Sequence, residues 1–236
     1  MLSRVTLGTT LRRSIIGIIT MAVMATALIQ ATPARAFPGG SFLVVCDFVK
    51  FKRIDPIMDP GVYPTEHLHM FFGNKGISKD STYSSLIRGR TTCSTSADRT
   101  AYWAPVVYKN GRILKPYQVT VYYVADFRDR KPFPTGFMER SADVRFSCGG
   151  DTTMRPRDCG RGQAQINLRF FHAKYPDVHV HFKYRQHSLV GTRLSSGRLG
   201  GAHGDFFPAW ANGKLADLVR NCLNTGRTCG KIGRRT

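Results

Sequence analysis

Apolar and polar residues alternate with a period of two in several separated stretches of this chain. In Gln165-Ile166-Asn167-Leu168-Arg169-Phe170 the apolar side chains Ile166, Leu168 and Phe170 fall on one face and the polar ones on the other, the pattern of a half-buried strand. Tyr117 to Val124 and Ala101 to Tyr108 are rich in β-branched and aromatic residues and predict two more strands. The second is expected to bend or to lie at a sheet edge, because Pro105 has no N–H to give to a ladder. Phe42-Leu43-Val44-Val45-Cys46 reads as a short buried strand, and Asn110-Gly111 and Pro134-Thr135-Gly136 read as turns. Val178 to Tyr184 alternates as well. His179, His181 and Lys183 share one face, which predicts a solvated polar face.

One stretch has the helical period instead. Leu215, Leu218, Val219 and Cys222 follow the i, i+3, i+4, i+7 spacing, with Asn212 placed to cap the start and Asn224 or Gly226 to end it. The fold class expected is mainly β: an antiparallel sandwich-like or half-barrel core with one C-terminal α-helix.

Cysteine and charge add to this picture. The first 36 residues carry Arg4, Arg12 and Arg13, an apolar run from Ile15 to Ile29, and Ala34-Arg35-Ala36 before Phe37. That order is the layout of a secretory signal peptide. The apolar run is shorter than the roughly 20 residues of a spanning helix. Arg12-Arg13 forms only part of a twin-arginine pattern, so general secretion is the simpler route. Residues 37–236 are then expected to be a single secreted domain. All six cysteines, Cys46, Cys93, Cys148, Cys159, Cys222 and Cys229, lie in that part. In a secreted chain an even count predicts three disulfides. Short separation favours Cys148 with Cys159 and Cys222 with Cys229, leaving Cys46 for Cys93.

The whole chain carries +20. Without the leader, 31 Lys and Arg against 15 Asp and Glu leave +16. Such an excess attracts cell-wall polysaccharide or another anionic polymer. Nucleic acid is disfavoured as a partner, because no recognition helix or base-stacking motif is present. Serine or thiol nucleophile chemistry lacks its motifs too: there is no Gly-x-Ser-x-Gly and no Cys-x-x-Cys.

The candidate chemistry lies in histidines. In Thr65-Glu66-His67-Leu68-His69 the two imidazoles project to one side if the backbone is extended. Gly61 with His-x-His imitates the opening of the cupin metal motif, but Gly73 and Asn74 stand where its next ligand, a Glu, belongs. Gly200-Gly201-Ala202-His203-Gly204-Asp205 offers another histidine and a carboxylate. Three readings stay open: His67, His69, His203 and Asp205 as ligands of a divalent transition metal; a metal-free acid-base site with a carboxylate orienting a histidine; or structural turn residues. Glu66 is a further candidate acid. Tyr102, Trp103, Tyr122, Tyr123 and Trp210 are able to stack on sugar rings, though core packing is the default for such residues.

Asp55-Pro56-Ile57 with Pro60-Gly61, His67-x-His69-x-Phe71-x-Gly73, Ser81 to Leu86 leading to Thr91-Thr92-Cys93, Asp98 with Ala101-Tyr102-Trp103-x-Pro105, and Pro132-Phe133-Pro134-x-Gly136 together resemble a secreted bacterial and fungal family. It is the domain of unknown function numbered nineteen ninety-six, and the resemblance spans most of residues 37–236. The family has no established activity to carry over. Some fungal members are joined to carbohydrate-binding modules of the WSC type, which implies association with wall polysaccharide. The residues matching its motifs are His67, His69, Asp98, Tyr102, Trp103, His203, Asp205 and Trp210, so the resemblance adds Asp98 to Tyr102 and Trp103 as a substrate-binding set. After Cys159 the chain departs from the pattern: Ile166 to Tyr184 stand where Phe-Pro-x-Cys-Trp-Asp-Gly and a later Ser-His pair are expected. Two functions follow as expectations. One is an extracellular polysaccharide-active hydrolase, which requires His67 and His203 to meet in one place. The other is a non-catalytic, basic binder of cell wall or anionic polymer.

Overall fold

The computed structural model describes residues 39–125, 129–148, 159, 162–197 and 201–233. Residues 34–236 form one compact unit. The expected leader, residues 1–36, and the start at Phe37 lie outside the described residues.

Fourteen strands are present among the described residues: β1 Ser41–Cys46, β2 Phe48–Lys52, β3 His69–Gly73, β4 Ala101–Pro105, β5 Val107–Lys109, β6 Arg112–Leu114, β7 Gln118–Val124, β8 Glu139–Ser141, β9 Val144–Cys148, β10 Ala164–Phe170, β11 Asp177–Lys183, β12 Thr192–Leu194, β13 Gly204–Phe207 and β14 Thr228–Lys231. A six-stranded sheet runs β14-β1-β7-β11-β10-β9 and a five-stranded sheet runs β2-β3-β4-β13-β8, with a small β12-β5-β6 sheet beside them. All pairings are antiparallel except β1 with β14. The two large sheets share one apolar core, in which Phe42, Val121, Leu168, Val180 and Phe182 meet Met70, Phe72, Tyr102 and Phe206. The Phe72 and Phe182 rings are 5.4 Å apart and Phe170 and Phe206 4.8 Å. The closest approach is at Gly204, where a Cβ would lie 1.7 Å from Leu168 Cδ1. Only glycine fits there. The fold is a β-sandwich, not a half-barrel.

A second, smaller apolar cluster lies on the outer face of the five-stranded sheet. Phe71, Trp103 and Phe207 project from it and are covered by Ile54, Ile77 and Leu86. Leu86 comes from α1, Tyr83–Arg88, a helix that the apolar period did not reveal because it buries one residue. Its signal was polar: the Thr82 hydroxyl accepts from Ser85 N–H and the Ser85 hydroxyl from Thr82 N–H, a capping box.

The three disulfides join the expected partners, Cys46–Cys93, Cys148–Cys159 and Cys222–Cys229. Asn110 and Gly111 take φ values of 51° and 73° in the turn from β5 to β6, the left-handed pair of a tight hairpin. The C-terminal helix α2 covers Lys214–Leu218 and runs on as one π-helical turn, Val219–Leu223, burying Leu215, Leu218, Val219 and Cys222. Its cap differs from expectation. Gly213, at φ 64°, precedes the helix with no side-chain cap bond, while Asn212 is itself left-handed at φ 55°. Pro105 ends β4, which lies in the middle of its sheet and not at an edge; the expected break is there, since from Val107 the chain continues as β5 in the small sheet. The polar faces of β10 and β11 are only partly solvated: Gln165, Asn167 and His179 are buried, while Arg169, His181 and Lys183 are half-buried.

Candidate functional site

His69 is the first residue of β3, and His67 sits in the bend before it. Their rings lie on one side, with centroids 4.3 Å apart. His203 immediately precedes β13. The strand β4 separates β3 from β13, so residues 134 apart in the chain meet across one sheet. His203 Nε2 is 3.2 Å from His69 Nε2 and 3.3 Å from His67 Nε2. The two segments read separately in the sequence therefore form one cluster.

Two of the rings are fixed in orientation. His69 Nδ1–H donates to the Ile54 carbonyl at 2.9 Å and His203 Nδ1–H to the Gly201 carbonyl at 2.8 Å. A carbonyl only accepts, so in the neutral rings the proton is on Nδ1 and the lone pair on Nε2. Burial, reinforced by the neighbouring histidines and Arg140, holds His69 at a pKa of about 2. Burial lowers His203 to about 4, and it lowers His67 also. Two lone pairs then face each other across 3.2 Å. A hydrogen bond from His67 would satisfy His203 but not His69. The contact becomes favourable when a cation stands between the nitrogens. Imidazole ligands about 2.0 to 2.1 Å from a tetrahedral zinc lie about 3.3 Å from each other, which is the spacing found.

Carboxylates complete the cluster. Asp205 on β13 and Arg140 on β8 are cross-strand partners. Arg140 Nε donates to Asp205 Oδ1 at 2.8 Å, and its terminal nitrogen reaches Asp55 Oδ2 at 2.5 Å. One guanidinium thus bridges two buried acids. Asp205 Oδ2 has no hydrogen-bond partner and lies 3.8 Å from His203 Nε2. Asp55 Oδ2 is 3.9 Å from His69 Nε2. Burial, with the Asp55 charge nearby, raises Asp205 to about 8 against the opposing pull of Arg140. Ligand atoms of Asp55, His69, His203 and Asp205, and separately of the three histidines, lie within 4.8 Å of one another. His69, Asp55 and Asp205 are closed off, whereas His67 and Arg140 remain partly open to solvent. Such an arrangement, with enclosed donors and one open side, suits a metal with an exchangeable position.

Asp55 has a second task. Its Oδ1 accepts from Ile57 and Met58 N–H, both at 3.2 Å, so the carboxylate that faces His69 also shapes the loop leading to His67. Asp55, twelve residues before His67, is not among the nominated site residues, although Asp55-Pro56-Ile57 is among the motifs that carry the family resemblance. Arg140 had no signal in the sequence, since its role depends on cross-strand pairing with Asp205. Glu66 is exposed and holds no place in the cluster, Asp55 taking that position.

The expected sugar-binding set is placed elsewhere. Asp98, Tyr102 and Trp103 have no exposure. Trp210 Nε1–H donates to Tyr123 O (3.2 Å), Tyr123 and Tyr102 hydroxyls are 2.7 Å apart, and Tyr102 O–H donates to Asp98 (3.1 Å). This chain of bonds ties the core between the sheets, while Trp103 packs on Phe71 in the outer cluster. A grouping of Cys46, Cys93 and Asp98 is a disulfide beside a buried carboxyl and offers no thiolate.

Residues 55–143 match a family model whose description is Domain of unknown function (DUF1996). The match contains His67, His69, Asp55 and Arg140 and ends before His203 and Asp205. No curated protein and no solved structure matches the chain.

Proposed function

We propose that the protein, whose residues 55–143 match the model of a domain of unknown function (DUF1996), is a secreted, metal-dependent hydrolase of an extracellular polysaccharide. His67, His69 and His203 hold a divalent transition ion, zinc being the best fit to three imidazoles, and Asp205 stands beside it. The observation that carries this is the 3.2 Å contact between His69 and His203 Nε2, two lone-pair nitrogens whose other ring nitrogens are committed to carbonyls.

When bound, such an ion polarises the scissile bond and lowers the pKa of a water molecule. Asp205 Oδ2, buried and without a donor, belongs to a carboxyl that burial keeps protonated to about pH 8, so it gives its proton to the departing oxygen and is recharged by the proton of the attacking water. Arg140 keeps both acids in place and limits their repulsion. Sugar as substrate is supported by Tyr63. It is 62% exposed, and the Lys52 ammonium lies 5.5 Å from its ring centre. Lys52 is the cross-strand partner of His69, so the cation beside this exposed aromatic comes from the strand next to the cluster. Three disulfides, and the lack among the described residues of any helix able to cross a membrane, are compatible with secretion.

Elemental analysis of untagged protein, beside the His67→Ala/His69→Ala variant, tests the centre. One equivalent of a transition metal is expected in the wild type and none in the variant. No metal in either, after incubation with zinc, manganese, iron and copper, overturns the metal reading. Release of reducing ends or of acyl groups from polysaccharides by metal-loaded wild type, and not by the variant, tests the hydrolase. The basic excess favours a second reading, a non-catalytic binder of anionic polymer, whose salt-sensitive retention would survive the same substitution.

A further inference from the structure

At the far end of β3 from His69 the strand turns at Gly73 (φ 81°), after roughly 13 Å of chain. A groove of about 650 Å³ opens there, lined by Lys75, Arg90 and Arg99 with the hydroxyls of Thr91, Thr95 and Ser96, and with Asp47 as its one acid.

The fold holds these cations together. Asn74, with no exposure, donates from its side-chain amide to the Leu86 and Arg99 carbonyls at 3.0 and 2.6 Å and accepts from Gly76 N–H at 2.9 Å. One buried amide thus ties the end of β3 to α1 and to the Arg99 segment. Lys75 N–H donates to the Arg90 carbonyl at 2.8 Å, which sets the two residues side by side. The Arg99 guanidinium donates to the Ile87 and Ser96 carbonyls, so backbone and not a carboxylate fixes its place. Among the described residues none of the three cations is in an ion pair. Thr91 and Thr95 accept from Cys93 and Ala97 N–H at 3.0 and 3.4 Å, which leaves each hydroxyl its own hydrogen to donate. The Cys46–Cys93 bridge braces the floor.

We propose that this groove binds an acidic polysaccharide, through Lys75, Arg90 and Arg99 acting on its carboxylates or sulfates and through the threonine hydroxyls. The choice of partner follows from the lining. Three cations against one acid call for a polyanion. Among the described residues no aromatic lines the groove, so they offer no platform for bases, on which single-stranded nucleic acid binding depends. Neutral sugars, which bind through ring faces, also find nothing to stack on. The inference needs no metal at the histidine centre, and its test reads binding, not turnover.

The test measures binding of the full chain to soluble polygalacturonate and to heparin at low ionic strength, with single-stranded DNA as a third ligand. Lys75→Glu/Arg90→Glu is compared with Arg112→Glu/Lys131→Glu, an equal charge change at exposed positions outside the groove. The groove pair is expected to weaken polysaccharide binding by about tenfold and the control pair by less than about twofold. The neutral pair Lys75→Gln/Arg90→Gln should fall between, with an unchanged thermal midpoint. Equal weakening by groove and control pairs overturns the proposal in favour of net charge alone. Tighter, groove-dependent binding of DNA than of either polysaccharide overturns it in favour of nucleic acid.

Discussion

The chain contains two His-x-His pairs, His67/His69 and His179/His181, and the fold uses them in opposite ways. Both pairs put two imidazoles on one side of the backbone. The first stands at the end of a strand, where a third histidine arrives from β13 and two acids lie within 4 Å of ring nitrogens. The second lies inside β11, between β7 and β10. There His179 is the cross-strand partner of Arg169, and burial, with Arg169 adding to it, lowers His179 to about 4. His181 falls to about 3 through burial, the neighbouring His179 and Lys183, and its ring packs 4.8 Å from Tyr122. Identical spacing therefore carries little information. A centre arises where buried acids stand within reach of the ring nitrogens and where carbonyls hold Nδ1 so that Nε2 points inward.

The largest effect expected separates the pairs directly. His203→Ala should abolish metal retention, a loss beyond the roughly 100-fold that removing an outer partner costs. His179→Gln/His181→Gln should leave occupancy at the wild-type level. The measurement is metal content after dialysis, paired with melting with and without chelator. If the β11 variant loses its metal and His203→Ala retains it, the contrast is wrong.

Much of the scaffold could be read from the sequence because it depends on local alternation. The strands at 42–46, 117–124 and 165–170, the Asn110-Gly111 hairpin and the disulfide partners each follow from residues close in the chain or from simple elimination. His67 with His69 was legible for the same reason. What could not be read depends on strand order. Arg140 faces Asp205 only because β8 pairs with β13, and His179 is buried only because β11 is interior to its sheet. Tyr102 and Trp103 lie on opposite faces of β4, and both faces are covered. That sends to the core two aromatics whose chemistry suits sugar stacking equally well. α1 escaped notice because its evidence was a polar cap and one apolar contact.

Arg140→Met sharpens the contrast from the side of charge. It removes the single cation from between Asp55 and Asp205, each almost wholly buried, and should destabilise the metal-free protein by about 3 kcal/mol in urea unfolding, near the lower end for broken buried pairs because Arg140 is partly open to water. Asp55→Asn in that background should recover part of the loss.

Acid should act on the β11 pair with a definite sign. His179 and His181 have folded pKa values of about 4 and 3, below the usual 6.5, so between those values and 6.5 the unfolded chain binds more protons. Their contribution is full above about pH 6.5 and is lost as pH falls toward 3. Asp98, raised by burial to about 6, and Asp205, raised to about 8, work the other way, but both are present in wild type and variant alike and drop out of the difference between them. Comparing wild type with His179→Gln/His181→Gln, the difference in unfolding free energy should change by up to about 5 kcal/mol between pH 7 and pH 4.5, the wild type losing more. A difference that stays flat across that range would mean that the pair titrates normally.

The smallest effect belongs to the rim of the first pair. Tyr63 is exposed on the loop that Asp55 shapes through Ile57 and Met58 N–H; beside β11 the exposed ring is Phe171, which packs against His179 under the Arg169 guanidinium, while Tyr122 packs on His181. Tyr63→Ala removes a ring face and nothing from the cluster, so metal content and melting temperature should not move. Binding of a polysaccharide substrate should weaken about fivefold, close to 1 kcal/mol and typical of one stacked ring at an exposed position. Tyr63→Phe keeps the face and should bind as the wild type does. If Phe fails as Ala does, the hydroxyl and not the ring makes the contact, and the sugar reaches the histidines from another side.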